Sequence, residues 1–150
     1  ARPNNTIVGL GSGRVCVFSL AGADVLVDLV GVFATNGLGY LPTEPTRLVD
    51  TRTGRGPLTP LSGIEYQIGN PGARRAVAAS VNVTAVDHDR MGYTATYGCG
   101  SIPDTSTVNQ FVGQVAANGA IVPASPTATS CAWMLGGGHL VIDLSGWWVA

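Results

Sequence analysis

The chain has 150 residues, a length that suits one domain with its own buried core. Charged residues make up 11% of the chain and the formal net charge is −1, which excludes a strongly basic surface for nucleic acid or for an anionic membrane. All eight basic residues are arginines, so covalent catalysis through lysine is excluded as well. The most apolar stretch, residues 25–34, is broken by Asp28 and is shorter than the roughly 20 residues of a membrane-spanning helix, so no membrane insertion is predicted.

Glycine and proline together make up a fifth of the chain, which favours short strands and many turns over helices. No segment keeps a 3.6-residue period, whereas period-two alternation of apolar residues recurs along the sequence. The predicted strands lie near residues 6–10, 14–20, 24–33, 64–68, 76–86, 91–98, 107–112, 119–123, 130–135 and 139–149. We therefore predict an all-β fold, a β-sandwich of jelly-roll-like or related barrel type.

The last predicted strand has two distinct faces. One face carries Leu140, Ile142, Leu144 and Trp148, and the other carries Val141, Asp143, Ser145 and Trp147. Because residues two apart share a face of a strand, the first set is expected to fill the core.

The beginning and the end of the chain resemble each other. The sequence NNTIV at 4–8 matches NGAIV at 118–122, VCVFSL at 15–20 matches SCAWML at 130–135, and VLVDLVGVFA at 25–34 matches LVIDLSGWWV at 140–149. The offset is 114 residues at first and 115 after a slip of one residue. It aligns Cys16 with Cys131, Asp28 with Asp143, and Gly31 with Gly146. We interpret this similarity as an internal duplication.

The duplication predicts the domain organisation. Residues 1–34 would be the C-terminal strands of a preceding, partial repeat, residues 35–46 a linker, and residues 47–150 a complete repeat. The remainder of the first repeat would then belong to a longer parent protein or to another molecule.

The three cysteines are consistent with this division. Cys99 and Cys131 both fall in the complete repeat, and a bond between them would close a loop of about 30 residues. Cys16 would then be an unpaired or intermolecular thiol. The alternative is three buried thiols that act as small apolar side chains. No spacing of Cys or His fits a metal site, and no cofactor is predicted.

The segment RLVDTRTG at 47–54 resembles the RLxDTR repeat of large secreted actinobacterial proteins. Further similar motifs follow in order, at 81–86, 92–93, 99–100, 105–109, 117–118 and 139–147. The resemblance covers 47–148 and, as the tail of a preceding copy, 4–33. It implies extracellular or cell-surface β-rich modules arranged in tandem, and no catalytic role is carried over from it.

The charged residues of this motif are predicted to form structural ion pairs. In an extended segment Asp50 shares a face with Arg52, while Arg47 lies on the opposite face. Asp28 and Asp143 are acids in the middle of strands, and they would need arginine partners if covered. The alternative is that the arginines bind an acidic sugar or another carboxylate ligand.

A second apolar stripe is expected on the outer face of the repeat-ending strands, at Leu26, Val30, Val32 and Trp147. Apolar patches and unpaired strand edges of this kind mark contact surfaces. The sequence therefore predicts a non-enzymatic, extracellular structural module that packs against copies of itself or neighbouring repeats, in a surface array or fibre. The alternative is a carbohydrate-binding or adhesive module of a cell-wall-associated protein, with aromatic side chains as stacking faces.

Overall fold

The computed structural model describes residues 4–5 and 10–150, and in this part of the chain it contains eight strands and no helix. The strands are β1 (Gly39–Asp50), β2 (Ser62–Gln67), β3 (Ala76–Val86), β4 (Gly92–Tyr97), β5 (Val108–Gln110), β6 (Ala116–Pro123), β7 (Thr129–Met134) and β8 (His139–Val149). The strand predicted near 6–10 lies, apart from residue 10, outside the described residues.

The eight strands form two antiparallel sheets of four strands each. The first sheet has the order β1-β8-β3-β6 and the second has the order β2-β7-β4-β5. The all-β prediction and the β-sandwich are therefore confirmed. Strand β8 is central to the first sheet, because it is hydrogen-bonded to β1 on one side and to β3 on the other.

The core lies between the sheets and is built from the alternating apolar positions. The first sheet contributes Val81 and Val83 from β3, together with Leu140, Ile142 and Leu144 from β8, all at most 3% exposed. The second sheet contributes Ile64, Tyr66, Ala132 and Met134. The prediction for the first half of β8 is thus correct.

The second half of β8 differs from the prediction because of a bulge. Ser80 is paired with Gly146, and the next residue, Val81, is paired with Leu144, so Ser145 is the extra residue. The bulge reverses the faces of the two tryptophans. Trp147 packs against the core and donates from its indole N–H to the carbonyl of Ile68 at 2.9 Å.

Residues 14–20 and 24–33 were predicted to be strands, and this prediction is wrong for the structure of this chain. The amino-terminal segment, which we define as residues 10–34, contains only an isolated bridge from Gly11 to Arg14 and local turns. A strand needs a neighbour for its backbone N–H and C=O groups. No described strand pairs with this segment, and every residue from 10 to 40 is exposed.

The linker predicted at 35–46 is shorter than expected, because β1 begins at Gly39. Tyr40 is paired with Trp148 and Leu41 with Trp147, so these residues belong to the sandwich. Pro42 and Pro45 hid the strand in the sequence, since proline cannot donate to a ladder. They are accommodated because β1 is an edge strand and its register shifts between Pro42 and Thr46.

Two leucines at corresponding positions of the two similar segments, 25–34 and 140–149, provide a matched test of this fold. Leu144 is 2% exposed in β8, whereas Leu29, 115 residues earlier, is 81% exposed. We expect Leu144→Ala to lower the free energy of unfolding by about 2–5 kcal/mol, because it leaves a cavity. Leu29→Ala should change it by less than about 0.5 kcal/mol. Urea unfolding of both variants measures the difference, and equal losses would contradict the placement of the two segments.

Candidate functional site

The predicted charged residues meet at the point where β1 ends beside β8. Arg47 lies opposite Asp143 in the strand register, and its Nε donates to Asp143 Oδ1. A second guanidinium nitrogen of Arg47, Nη1, donates to Asp50 Oδ2 at 2.6 Å. One arginine therefore connects two carboxylates, one on β1 and one on β8.

Asp50 is also held by the next arginine of the motif. Arg52 donates to Asp50 through Nε at 2.9 Å and through Nη2 at 2.7 Å, a bidentate pair, and its backbone N–H donates to the same carboxylate at 3.1 Å. The hydrogen bonds and the charge of Arg52, followed by the charge of Arg47, hold the pKa of Asp50 well below its usual range. The hydrogen bond to Asp143 raises the pKa of Arg47.

The predicted faces of this motif need one correction. Arg47 was expected on the face opposite Asp50, yet the two side chains form an ion pair. The register of β1 shifts between Arg47 and Val49, and the chain turns immediately after Asp50. The motif is therefore a bulged strand followed by a turn, and the simple period of two does not apply to it.

The turn after β1 is fixed by a buried threonine that the sequence reasoning missed. Thr51 is 1% exposed, and its hydroxyl accepts from the backbone N–H of Leu140 at 2.8 Å and contacts His139 Nδ1 at 3.2 Å. Its backbone N–H donates to the carbonyl of Leu140 at 3.0 Å. Together with the arginines, Thr51 attaches the end of β1 to the start of β8, so the arrangement of this cluster is that of a structural clamp.

Asp28, the fifth residue predicted to form an ion pair, lies apart from this cluster. It is exposed in the amino-terminal segment, and no salt bridge within the described residues includes it. The physical reason is that the segment has no neighbouring strand that could bring an arginine to it.

The predicted disulfide is present. Cys99 and Cys131 are bonded, with their Cα atoms 4.9 Å apart, and the bond ties the loop after β4 to β7. All three cysteines lie in the described part of the chain, and Cys16 is an exposed free thiol.

Three of the four residues predicted to form a self-association surface are exposed. Leu26 is 94% exposed, Val30 62% and Val32 70%. Trp147 does not belong with them, because the bulge in β8 turns it toward the core. Of the 19 large apolar side chains that are exposed in the described residues, 12 lie in the amino-terminal segment.

An aromatic cluster attaches the end of this segment to the sandwich. The ring of Trp148 lies 5.3 Å from that of Phe33 and 4.9 Å from that of Tyr40. Trp148 donates to Ser80 Oγ at 2.9 Å, and the Tyr40 hydroxyl donates to the carbonyl of Ser145 at 3.0 Å. The sequence reasoning assigned Trp148 to the core, and only the bulge explains its position on the outer face.

A second group of aromatic side chains lies on the outer face of the second sheet. Tyr93, Tyr97 and Trp133 are half-buried there, and the rings of Tyr93 and Trp133 are 5.7 Å apart. They share this face because Ala95 is paired with Trp133 and Tyr97 with Cys131. A shallow pocket of about 360 Å³ adjoins them, lined by Met91, Gly92, Tyr93, Asn109, Gln110 and Phe111.

Within residues 4–5 and 10–150, no three His, Cys, Asp or Glu side chains are grouped as a metal site would require. The same residues contain no helix long and apolar enough to span a membrane. Comparisons with protein-family models, with curated proteins and with solved structures find no match to this chain.

The disulfide can be tested by replacing each cysteine in turn. Cys99→Ser or Cys131→Ser should lower the free energy of unfolding by about 3–4 kcal/mol under oxidising conditions, because the bond closes a loop across a sequence separation of 32 residues. In reductant these variants should match the reduced parent protein. Cys16→Ser is the control and should be neutral in both conditions. Equal denaturation midpoints for the oxidised Cys99→Ser variant and the oxidised parent would contradict a bond in solution.

Proposed function

We propose that this chain is a non-enzymatic, extracellular structural module that packs against copies of itself or neighbouring repeats in a surface array or fibre. The observation that carries the proposal is the exposure of the amino-terminal segment, in which 12 large apolar side chains are between 48% and 94% exposed. Isolated soluble proteins seldom leave so many large apolar side chains of one segment in water, and exposed apolar surfaces commonly mark sites of protein contact.

The composition and the disulfide support an oxidising, extracellular setting. Disulfide bonds persist in secreted and cell-surface proteins and are rare in the cytosol. The likeness of residues 47–54 to the repeat motif of secreted actinobacterial proteins points in the same direction. The clamp formed by Arg47, Asp50, Arg52 and Asp143 favours a structural role, because each carboxylate is already engaged by an arginine.

Self-association is expected to depend on the amino-terminal segment. Leu26→Asp places a charge where the side chain is 94% exposed, so it should leave the sandwich folded and weaken association at least tenfold. Val115→Asp is the control, since Val115 is 67% exposed but lies outside the segment. Sedimentation velocity over a concentration series measures both, in a Cys16→Ser background that excludes bonding through Cys16 and keeps the Cys99–Cys131 bond. Association that survives Leu26→Asp would overturn the role of the segment, and a parent protein that stays monomeric at all concentrations would overturn packing against identical copies.

A second candidate function is binding of a cell-wall or other glycan, and the outer aromatic face of the second sheet favours it. Tyr93, Tyr97 and Trp133 present half-buried rings along two neighbouring strands, and Asn109 lines the adjoining pocket with a polar side chain. Aromatic rings provide apolar faces for sugar rings, and a neighbouring amide can hydrogen-bond to sugar hydroxyls.

The glycan candidate is tested with chitohexaose and cellohexaose as probes in isothermal titration calorimetry. If this face binds either sugar, Trp133→Ala should weaken binding about tenfold or more, since buried aromatic anchors dominate such contacts. Tyr40→Ala, an aromatic change on the other sheet, is the control and should have no effect. Failure of the parent protein to bind either sugar, or equal effects of the two variants, would count against this candidate.

A further inference from the structure

We propose that residues 14–34 are the last two strands of a second sandwich, in which the strands equivalent to β1 to β5 come from a further copy of residues 39–117. This inference rests on the proposed assembly function and specifies the partner that the amino-terminal segment contacts. The segment would take the places that β7 and β8 occupy in the sandwich described above.

The sequence correspondence follows the strands of the structure. At an offset of 115, residues 14–19 align with β7 and residues 24–34 with β8. The earlier match of residues 4–8 falls on β6, at an offset of 114. The slip of one residue therefore lies in the connection between β6 and β7, where a change in loop length leaves the strands in register.

Three residues in the segment lack a partner that the equivalent residue of the sandwich has. The first is Cys16, the free thiol. Cys131 on β7 is bonded to Cys99, and its equivalent Cys16 is free and exposed. Cys99 lies within residues 39–117. A further copy of that stretch would bring a cysteine to Cys16.

The second residue is Asp28. Its equivalent on β8, Asp143, accepts a hydrogen bond from Arg47, whereas Asp28 forms no salt bridge with any described residue. Arg47 also lies within residues 39–117. The copy would therefore supply the arginine that an acid in the middle of a covered strand requires.

The third residue is Gly31. At its equivalent, Gly146, an added Cβ would lie 2.5 Å from the Tyr40 hydroxyl oxygen, so this position must be glycine for the tyrosine to cross the strand. At Gly31 no described atom lies within 4 Å of the Cβ position. Tyr40 belongs to the same stretch, 39–117. A copy of that stretch would place its tyrosine against Gly31, which would explain why this position is glycine.

The sandwich described above cannot itself accept the segment, because β8 already lies between β1 and β3. If the segment inserted into an identical chain, it would displace that chain's own β8. The displaced β8 would then be unpaired, so the number of unpaired strands would not fall. The partner is therefore a copy of residues 39–117 that lacks its own final strands. Addition of a strand to an open sheet is an established mode of recognition between chains.

The test uses a tandem chain in which an additional copy of residues 39–117 is joined directly to Asn4 of residues 4–150. It is unfolded, reduced and refolded with oxidised glutathione. Closure of the new bond removes a proton and an electron from the Cys16 thiol and from that of the added copy's Cys99, and reduces one glutathione disulfide to two glutathione thiols.

We expect the refolded tandem chain to have no titratable thiol, and peptide mapping to find Cys16 bonded to the added copy's Cys99. Two free thiols, or any other pairing of Cys16, would overturn the inference. Failure of the tandem chain to refold with the expected bond would overturn it as well. As a matched control, Cys16→Ser should leave one free thiol, on the added copy.

A second measurement does not depend on the thiols. Leu29→Ala, which is expected to be neutral in the 150-residue chain, should lower the denaturation midpoint of the added sandwich in the tandem chain. An unchanged midpoint would mean that Leu29 does not enter a core. These readouts are independent of sedimentation of the parent protein, so failure of strand completion can be distinguished from failure of the assembly function.

Discussion

The first sheet depends on the pairing of β8 with a strand on each side. Its backbone is paired with β1 on one side and with β3 on the other, and its side chains Leu140, Ile142 and Leu144 are buried in the core between the sheets. An edge strand such as β1 is paired on one side only, whereas a central strand such as β8 is paired on both sides. The clamp of Arg47 on Asp143, near the end of β1, holds this edge strand against β8.

The two similar segments of the chain show how strongly a strand depends on its surroundings. Residues 24–33 carry the same alternation as β8, including an aspartate in the middle and the same leucine and glycine, yet they form no strand. Strand propensity mainly reflects fit to a pleated, half-buried surface, and little of it is intrinsic to the backbone. One sequence pattern thus leads to a core strand where neighbours exist and to an exposed apolar segment where they are absent.

Much of the sandwich could be predicted from the sequence because apolar alternation directly reports burial of one face. Strands β2 to β8 follow it, and Cys99 and Cys131 pair as the division into repeats implied. Within the sandwich, the failures occur where the period of two is interrupted. The bulge at Ser145 exchanges the faces of the two tryptophans, and the prolines of β1 conceal an edge strand, so no local pattern could have placed these residues.

The ion pairs at the end of β1 act on strand register more than on stability. Arg47 and Arg52 are nearly half exposed, so their pairs with Asp50 and Asp143 contribute little to stability by themselves. Their effect is on register, because a slip of one residue between β1 and β8 would separate Arg47 from Asp143 and reverse the faces of β1. An edge strand with two prolines has few ladder hydrogen bonds to fix that register, and a bidentate arginine cluster at its end supplies the missing constraint. The motif is thus best understood as the device that makes the sandwich close in a single way.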